Sequence, residues 1–534
     1  MSGQKTITIV EQEHFGRRVK VFEDLPENLF EVFKTSIQKF PHREAVIWGD
    51  QRVTYSELYE MVNALASNLQ NKFQCKKGDR IAIIANNRTE YCVVTFAAFA
   101  LGCILVPLNS RLHPEELQFM LSDAAVSVLF VEDCLWETSQ KALELAGTKV
   151  SQVVIGQFEK DKYVDAHHYE DMLKEQPPCV PSKVHCEDPA FIMYTSGTTG
   201  TPKGVIGTHL GIVQNIRNFQ SILQTTHEDR TLISVPLFHV SGFVADFLHM
   251  MLTGGAAVLM YTFKTQHFLE LLECEKITYL VTVPTIYTFL LNFPGHEKYD
   301  LSHWRIAAYG GAPMPDQIIR EMLRQYPGIQ MVNTYGATEC SGSCTFMKGA
   351  RALDKPNSVG LFEDVVEWKI VNELGEELPQ GEVGELWLKG PTVTPGYWRN
   401  ESATKNSFSS EYWKSGDIGY VDEEGFFFLL DRKKDSINRG GEKIFCVELE
   451  DVLYNHPDIL EAAVVGVPDQ FFGEEILAVV VPKEGKTISE EEIRAFLEQH
   501  LADYKVPRYI RLADSLPRNP GGKVVKKALR SLVN

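Results

Sequence analysis

Apolar residues recur at helical spacing from Glu57 to Phe73 (ELYEMVNALASNLQNKF), then run unbroken through Arg80 to Ala85 (RIAIIA). The first pattern predicts an amphipathic helix and the second a short buried strand. From Tyr91 to Leu108 (YCVVTFAAFALGCILVPL) the chain is apolar almost throughout, but Gly102 interrupts it and Pro107 closes it. It falls short of the roughly 18 uninterrupted apolar residues of a membrane helix. It reads as a buried helix running into a buried strand. Short strands follow at Ser127 to Val131, Thr231 to Val235, Ala256 to Met260, Ile277 to Val283 and Ile329 to Asn333. Strands interleaved with helices predict an α/β class, with mostly parallel sheets covered by helices.

Around residue 360 the texture changes. VVEWKIVNELGEELPQGEVGELWLKG reads as strands joined by tight Gly, Asn and Pro turns, and GYVDEEGFFFLLDR as a hairpin ending in charges. This predicts a small antiparallel, barrel-like part. A fresh α+β pattern follows: Val447 to Asn455 helical, Ile459 to Val467 and Ile476 to Pro482 extended, Ser489 to Leu501 helical. The last begins SEEE, an N-cap followed by acids at the positive helix end. These textures divide the chain into residues 1–432, with a β-rich part near 360–432, and residues 433–534, with the boundary at Asp431 to Asp435.

Composition changes this picture little. The 534 residues are 44% hydrophobic, 23% charged and 10% aromatic, which excludes disordered, collagen-like and coiled-coil classes. The 53 Lys+Arg against 71 Asp+Glu leave a net charge of −18. Such a field repels nucleic-acid backbones and anionic membrane surfaces. No nucleic-acid partner and no integral membrane segment are expected, while peripheral membrane contact and both a monomer and a homodimer stay open. Ten scattered cysteines with no Cys-x-x-Cys pair, and an N-terminus without a secretory leader, predict reduced thiols in the cytoplasm.

Candidate chemistry is densest at Tyr194-Thr195-Ser196-Gly197-Thr198-Thr199-Gly200-Thr201-Pro202-Lys203-Gly204-Val205, directly after an apolar segment. Glycines let backbone amides approach a polyanion, hydroxyls add donors, and Lys203 adds a point charge. The Walker spacing is missing, so this is a phosphate loop of another kind. The bland alternative is a flexible linker, but linkers rarely combine Thr, Gly and Lys so densely after a strand.

This stretch resembles the phosphate-binding motif of the adenylate-forming enzymes: acyl- and aryl-CoA synthetases, luciferase and the adenylation domains of peptide synthetases. The resemblance extends over essentially the whole chain and is strongest to AMP-forming acyl-CoA synthetases. It implies ATP, Mg²⁺ and CoA, with a mobile C-terminal lid domain. Within the loop it makes Thr195, Ser196, Gly197, Thr198, Thr199 and Lys203 phosphate ligands, with Thr195 a weaker Mg²⁺ contact.

Further motifs join it. In Pro236-Leu237-Phe238-His239-Val240-Ser241-Gly242-Phe243 no nucleophile elbow surrounds Ser241, and a lone His is usually structural. In the enzymes it resembles, an aromatic at the His239 position lines the carboxylate pocket and the acyl/pantetheine junction. Tyr309-Gly310-Gly311-Ala312-Pro313 ends a strand, and the resemblance puts it beside adenine. Asn333-Thr334-Tyr335-Gly336-Ala337-Thr338-Glu339 also follows a strand, where α/β ligands gather. Tyr335 can stack on adenine, Thr338 can bond phosphate, and Glu339 offers Mg²⁺ a hard oxygen. Ser415-Gly416-Asp417-Ile418-Gly419 puts a carboxylate on a Gly-flanked turn, suited to ribose hydroxyls.

Asp431-Arg432-Lys433-Lys434-Asp435 is by itself a solvated charge run. By resemblance Arg432 also contacts ribose and Lys434 is the hinge. Gly440, Gly441 and Glu442 lie in the loop implied to line the pantetheine tunnel. Pro517-Arg518-Asn519-Pro520-Gly521-Gly522-Lys523 sits in a tail with eight cations and one acid between Lys505 and Arg530. By resemblance Lys523 bridges carboxylate and α-phosphate.

The acyl pocket is placed near His239, Phe243, Thr285, Tyr309, Gly310, Gly336, Ala337 and Ser341. Its small residues suggest room for a chain or ring, and no cation obviously awaits a second carboxylate, Arg351 being the distant candidate. An apolar monocarboxylate (fatty, alicyclic or aromatic) is therefore expected. The alternative is a free-standing enzyme that loads a separate carrier protein. An amino-acid version needs an Asp near the His239 motif, and Asp246 is the residue to test. A non-catalytic AMP sensor would lose Lys523, Asp417 or Glu339, and all three are present.

Overall fold

The uniformly apolar helix Thr89–Ala100 has almost every side chain buried, because it lies between two sheets and has no solvent face. Its Phe96 stacks on Phe33 at 4.1 Å, inside a core that joins Ile81, Ile83 and Leu105 of one sheet to Val46, Ile233 and Val281 of the other. Truncating such a ring costs about 3–5 kcal/mol. The computed structural model describes residues 8–163, 165–174, 177–195, 202–348, 351–355, 358–440, 442–518 and 524–533.

The first sheet has seven strands in the order Lys203–Thr208, Pro189–Thr195, Ile104–Leu108, Arg80–Ile84, Val128–Glu132, Ser151–Ile155, His167–His168. It is parallel except for the antiparallel pair Pro189–Thr195 and Lys203–Thr208. In the second sheet Glu44–Trp48, Ala256–Leu259, Arg230–Ile233, Tyr279–Thr282, Ile306–Gly310 and Gln330–Ala337 run parallel. The sheet continues, now antiparallel, through Gly342–Lys348, Ser358–Phe362, Phe426–Arg432, Tyr412–Val421, Gly384–Lys389 and Glu367–Val371. The β-rich part is thus hydrogen-bonded to the parallel sheet as its extension.

Two stretches expected outside the strands lie within them. Asn333 to Ala337 belong to Gln330–Ala337, because Gly342–Lys348 folds back and pairs Tyr335 with Thr345. Asp417 lies inside Tyr412–Val421, paired with Arg432. The helix predicted from Glu57 begins at Tyr55, where Thr54 and Glu57 form a capping box worth about 1 kcal/mol.

Residues after 436 build a five-stranded sheet of their own from Ile437–Arg439, Glu442–Ile444, Ile459–Asp469, Gly473–Pro482 and Tyr509–Leu512. Helices Cys446–Tyr454 and Glu490–Glu498 pack on it through Leu449, Leu453, Ile493 and Leu497. Ser489 caps the second helix, as its SEEE start implied.

Candidate active site

The parallel strands Ile306–Gly310 and Gln330–Ala337 end side by side, with Tyr309 opposite Asn333 and Gly310 opposite Thr334. A Cβ on Gly310 would lie 2.3 Å from the Thr334 carbonyl, and one on Gly336 2.0 Å from that of Gly342. These glycines are small because strands press on them, so they do not signal an empty pocket. Gly311 turns the chain at φ +79°, a left-handed position, and Gly311, Ala312 and Pro313 are exposed at the strand end.

On one side of this edge Tyr335 Oη donates to Asp417 Oδ2 at 2.5 Å, and Arg432 Nε lies 3.2 Å from Asp417 Oδ1. Asp417 is only 3% exposed, and its charge raises the Arg432 pKa. Burial, then the same carboxylate, pushes the Tyr335 phenol well up. This corner holds an aromatic ring beside a neutralised carboxylate.

On the other side Glu339 lies in the short turn Thr338–Cys340 beyond the strand end. Tyr397 Oη donates to Glu339 Oε1 at 3.1 Å, and Thr394 N donates to the Glu339 carbonyl at 2.7 Å. Withdrawal from water raises the Glu339 pKa, against weaker opposition from Tyr397 and Arg432. Lys203 opens its strand opposite Thr195, and its Nζ sits 5.2 Å from the centre of the Tyr397 ring. A buried carboxylate held through one oxygen by a phenol, with a lysine over the face of the same ring, suits a divalent cation and the phosphates it accompanies.

Residues 33–398 match the AMP-binding enzyme family, and residues 448–523 match the AMP-binding enzyme C-terminal domain. The chain belongs to the AMP-binding enzyme family. It is 34% identical over 490 residues to a feruloyl-CoA synthase from an Amycolatopsis species, covering 92% of this chain and 96% of that protein. The long-chain-fatty-acid–CoA ligase FadD13 of Mycobacterium tuberculosis is 32% identical over 492 residues, covering 90% and 93%. Among solved structures, the o-succinylbenzoate CoA synthetase of Bacillus subtilis, complexed with ATP and magnesium, superposes with a TM-score of 0.81 at 30% identity, covering 95% and 99%. Within the family the chain groups with the AMP-forming acyl- and aryl-CoA ligases, which use ATP, Mg²⁺ and CoA.

Several positions expected from the sequence lie elsewhere in this AMP-binding fold. Phe243 is fully buried against Phe191 and Phe247, and Tyr309 packs edge-on against Tyr287. Both are core residues. Ser341 is buried in the turn beyond the strand end and donates to the Thr392 carbonyl at 2.9 Å. His239, by contrast, is half-buried and leads into a wide π-helical segment, Ser241–Leu248, with its ring against Phe238. Asp246 is buried inside that segment, accepting from Thr231 Oγ1 and Val281 N, and burial pushes its pKa far up. It faces the core and not a ligand. Thr285 is half-buried at the start of Pro284–Asn292. Asn333 Nδ2 reaches the Ser358 carbonyl and Thr334 Oγ1 that of Tyr309, so both hold neighbouring strands.

In the small sheet Arg439 pairs with Glu475 at 2.5 Å and lies over the Phe472 ring, while Gly440 N donates to the Phe472 carbonyl at 2.8 Å. Glu442 and Lys434 are exposed. Ser196, Gly197, Thr198, Thr199, Gly441 and Lys523 lie outside the described residues. Arg518 and Val524, on either side of Lys523 in the sequence, form an antiparallel bridge.

Two residues escaped the sequence reading. Tyr397 joins Glu339 to Lys203, and its signal is the aromatic after Pro395-Gly396. Asn87 donates to the carbonyls of Ile233, Val235 and Met260 and accepts from Leu237 N, fixing the segment that carries His239. Only the Asn-Asn-Arg step after a buried strand marks it.

Proposed function

We propose that this chain activates an apolar monocarboxylic acid (fatty, alicyclic or aromatic) with ATP, giving acyl-AMP and pyrophosphate, and then transfers the acyl group to CoA with release of AMP. The observation that carries this reading is the division of one strand edge into a nucleoside corner and a phosphate corner. Tyr335 would stack on adenine, and Asp417 with Arg432 would hold the ribose hydroxyls. Glu339 would hold Mg²⁺, with Thr195 a weaker contact, and Lys203 would meet the phosphates beside the 195–203 loop. When bound, Mg²⁺ neutralises charge that builds on the phosphates during attack. Lys523 would bridge the acid and the α-phosphate, aligning both reactants.

Residues 433–534 would form the mobile lid, turning about Lys434 so that Lys523 leaves and Gly440, Gly441 and Glu442 enter. His239 would stand where the acyl group meets the pantetheine thiol. Gly310, Gly336 and Ala337 would border the acid through their backbone. Arg351 lies over the Phe426 ring and near Glu424, which favours a single carboxylate over a diacid. The core position of Asp246 weighs against an α-amino acid. The ten cysteines are free, in keeping with a cytoplasmic enzyme. Among the described residues no helix is long and apolar enough to cross a membrane.

Pyrophosphate exchange with a panel of carboxylic acids, each with and without CoA, tests the reading. Acid-dependent exchange and CoA-dependent AMP release are expected for one acid class. Exchange with no acid would remove the function, and exchange without CoA turnover would favour a carrier protein as acceptor.

A further inference from the structure

The segment carrying Tyr397 is stitched to both sheets. Trp398 N donates to the Gly204 carbonyl at 2.7 Å, Ile206 N donates to that of Gly396 at 3.3 Å, and Tyr397 bridges Val205 in antiparallel fashion. These contacts lay the segment along the free side of Lys203–Thr208, in the first sheet. Thr394 N meanwhile binds the Glu339 carbonyl at the end of the second sheet, and Thr394 Oγ1 donates to the carbonyl of Ile206. Tyr397 N is held by Thr404 Oγ1 at 3.0 Å. The ring is 8% exposed, so its position is set by packing and backbone pairing alike.

From this mount the two ends of one side chain meet two different groups. The Oη donates to Glu339 Oε1, while the ring face receives Lys203 Nζ at 5.2 Å. Ser407 and Trp413 also approach the phenol oxygen, which leaves its proton for Glu339. The aromatic face attracts the ammonium without neutralising it, unlike a carboxylate, which would compete with phosphate. The hydroxyl holds the carboxylate in one orientation without occupying both oxygens.

We propose that Tyr397 is a positioning residue that aims Glu339 and Lys203 at the same phosphate group. It rests on the reading of Glu339 as the metal carboxylate and Lys203 as a phosphate ligand. Its test is therefore arranged to separate the two. Tyr397→Phe keeps the ring and removes the hydroxyl; Tyr397→Leu removes both. Calorimetric titration with ATP alone and with MgATP reads binding apart from turnover, and pyrophosphate exchange reads KM and kcat.

In Tyr397→Phe the Mg²⁺ required for half-maximal exchange should rise about tenfold, with affinity for metal-free ATP unchanged. In Tyr397→Leu affinity for metal-free ATP should also fall, by about threefold. The KM for the acid should not move in either variant. Unchanged Mg²⁺ dependence in Tyr397→Phe, while Glu339→Gln abolishes it, overturns the role of Tyr397 and leaves the metal reading intact. Unchanged Mg²⁺ dependence in Glu339→Gln itself overturns the metal reading and the proposal with it. Equal losses of exchange and melting temperature in both variants, with no change in either binding ratio, reduce Tyr397 to a packing residue.

Discussion

Asp417 and Glu339 flank the end of one strand, Gln330–Ala337, and are treated oppositely. Asp417 is closed in by a guanidinium and a phenol, and its charge is balanced within the chain. Glu339 accepts from the Tyr397 hydroxyl, and Lys203 lies over the face of that same ring. A balanced carboxylate can accept bonds from neutral hydroxyls without calling for a cation. An unbalanced one, withdrawn from water, is costly until a cation arrives. Under the proposed function, the contrast suits one corner to sugar hydroxyls and the other to a metal with its phosphates.

The largest effect should come from outside both corners. Lys523→Ala should lower acyl-AMP formation by about 10³-fold, since one well-aimed donor accounts for a factor of 10²–10³ and alignment adds to it. Thioester formation from supplied acyl-AMP should be spared. Equal loss of both half-reactions, measured separately, would end its assignment to the first step.

Glu339→Gln should cost about 10²-fold in exchange, yet it should not destabilise the protein. The sign follows from the raised pKa of Glu339. A group whose pKa is raised by folding supports the fold below its unfolded pKa, and that support is lost as pH rises through the folded value. The Gln variant should therefore melt at or above the wild-type temperature at pH 8, with the advantage vanishing in acid. A marked loss of stability at pH 8 would mean that Glu339 is balanced after all.

Asp417→Ala should do the reverse. It strips the partner from Arg432 and Tyr335, so stability should fall by about 1–3 kcal/mol, the half-exposed guanidinium keeping the cost below that of a fully buried pair. The KM for ATP should rise about tenfold while Mg²⁺ dependence holds. If the two variants shift ATP and Mg²⁺ dependence alike, the corners are not distinct.

Local patterns along the chain carried most of the fold. The Thr89–Ala100 helix and its following strand, the capped Glu490–Glu498 helix and the antiparallel texture after residue 360 each follow from a few adjacent residues. Features made by distant pairing were harder to see. Asn333 to Ala337 became strand only because Gly342–Lys348 returned to pair with them. Gly310 and Gly336 read as small to make room, while a side chain at either would meet a carbonyl that belongs to another segment. Candidate chemistry could be named where one residue suffices, as at Glu339, Asp417 and Lys203, and their roles rest on the proposed function. The role of Tyr397 was not, because it exists only once residues from both sheets meet around one ring.

The smallest effect tests whether charge balance also matters where the two parts of the chain touch. Asp451, on Cys446–Tyr454, is half-buried, and its Oδ2 has no hydrogen-bond partner among the described residues. Its neighbours in charge are Glu450, which pairs with Lys526 at 2.8 Å, and Asp316 at the start of the helix Asp316–Gln325. Withdrawal from water, then Glu450, then Asp316 raise its pKa to about 7. Like Glu339 it is an acid whose pKa burial raises, but no ligand reading attaches to it. Wild-type stability should thus decline as pH climbs from about 4, the ordinary aspartate value, through about 7. Asp451→Asn removes the ionisation and keeps the shape, so its melting temperature should gain about 1–3 °C over wild type at pH 8, with little gain at pH 5. The same gain at both pH values would place Asp451 in water and confine the penalty of unbalanced acids to the Glu339 corner.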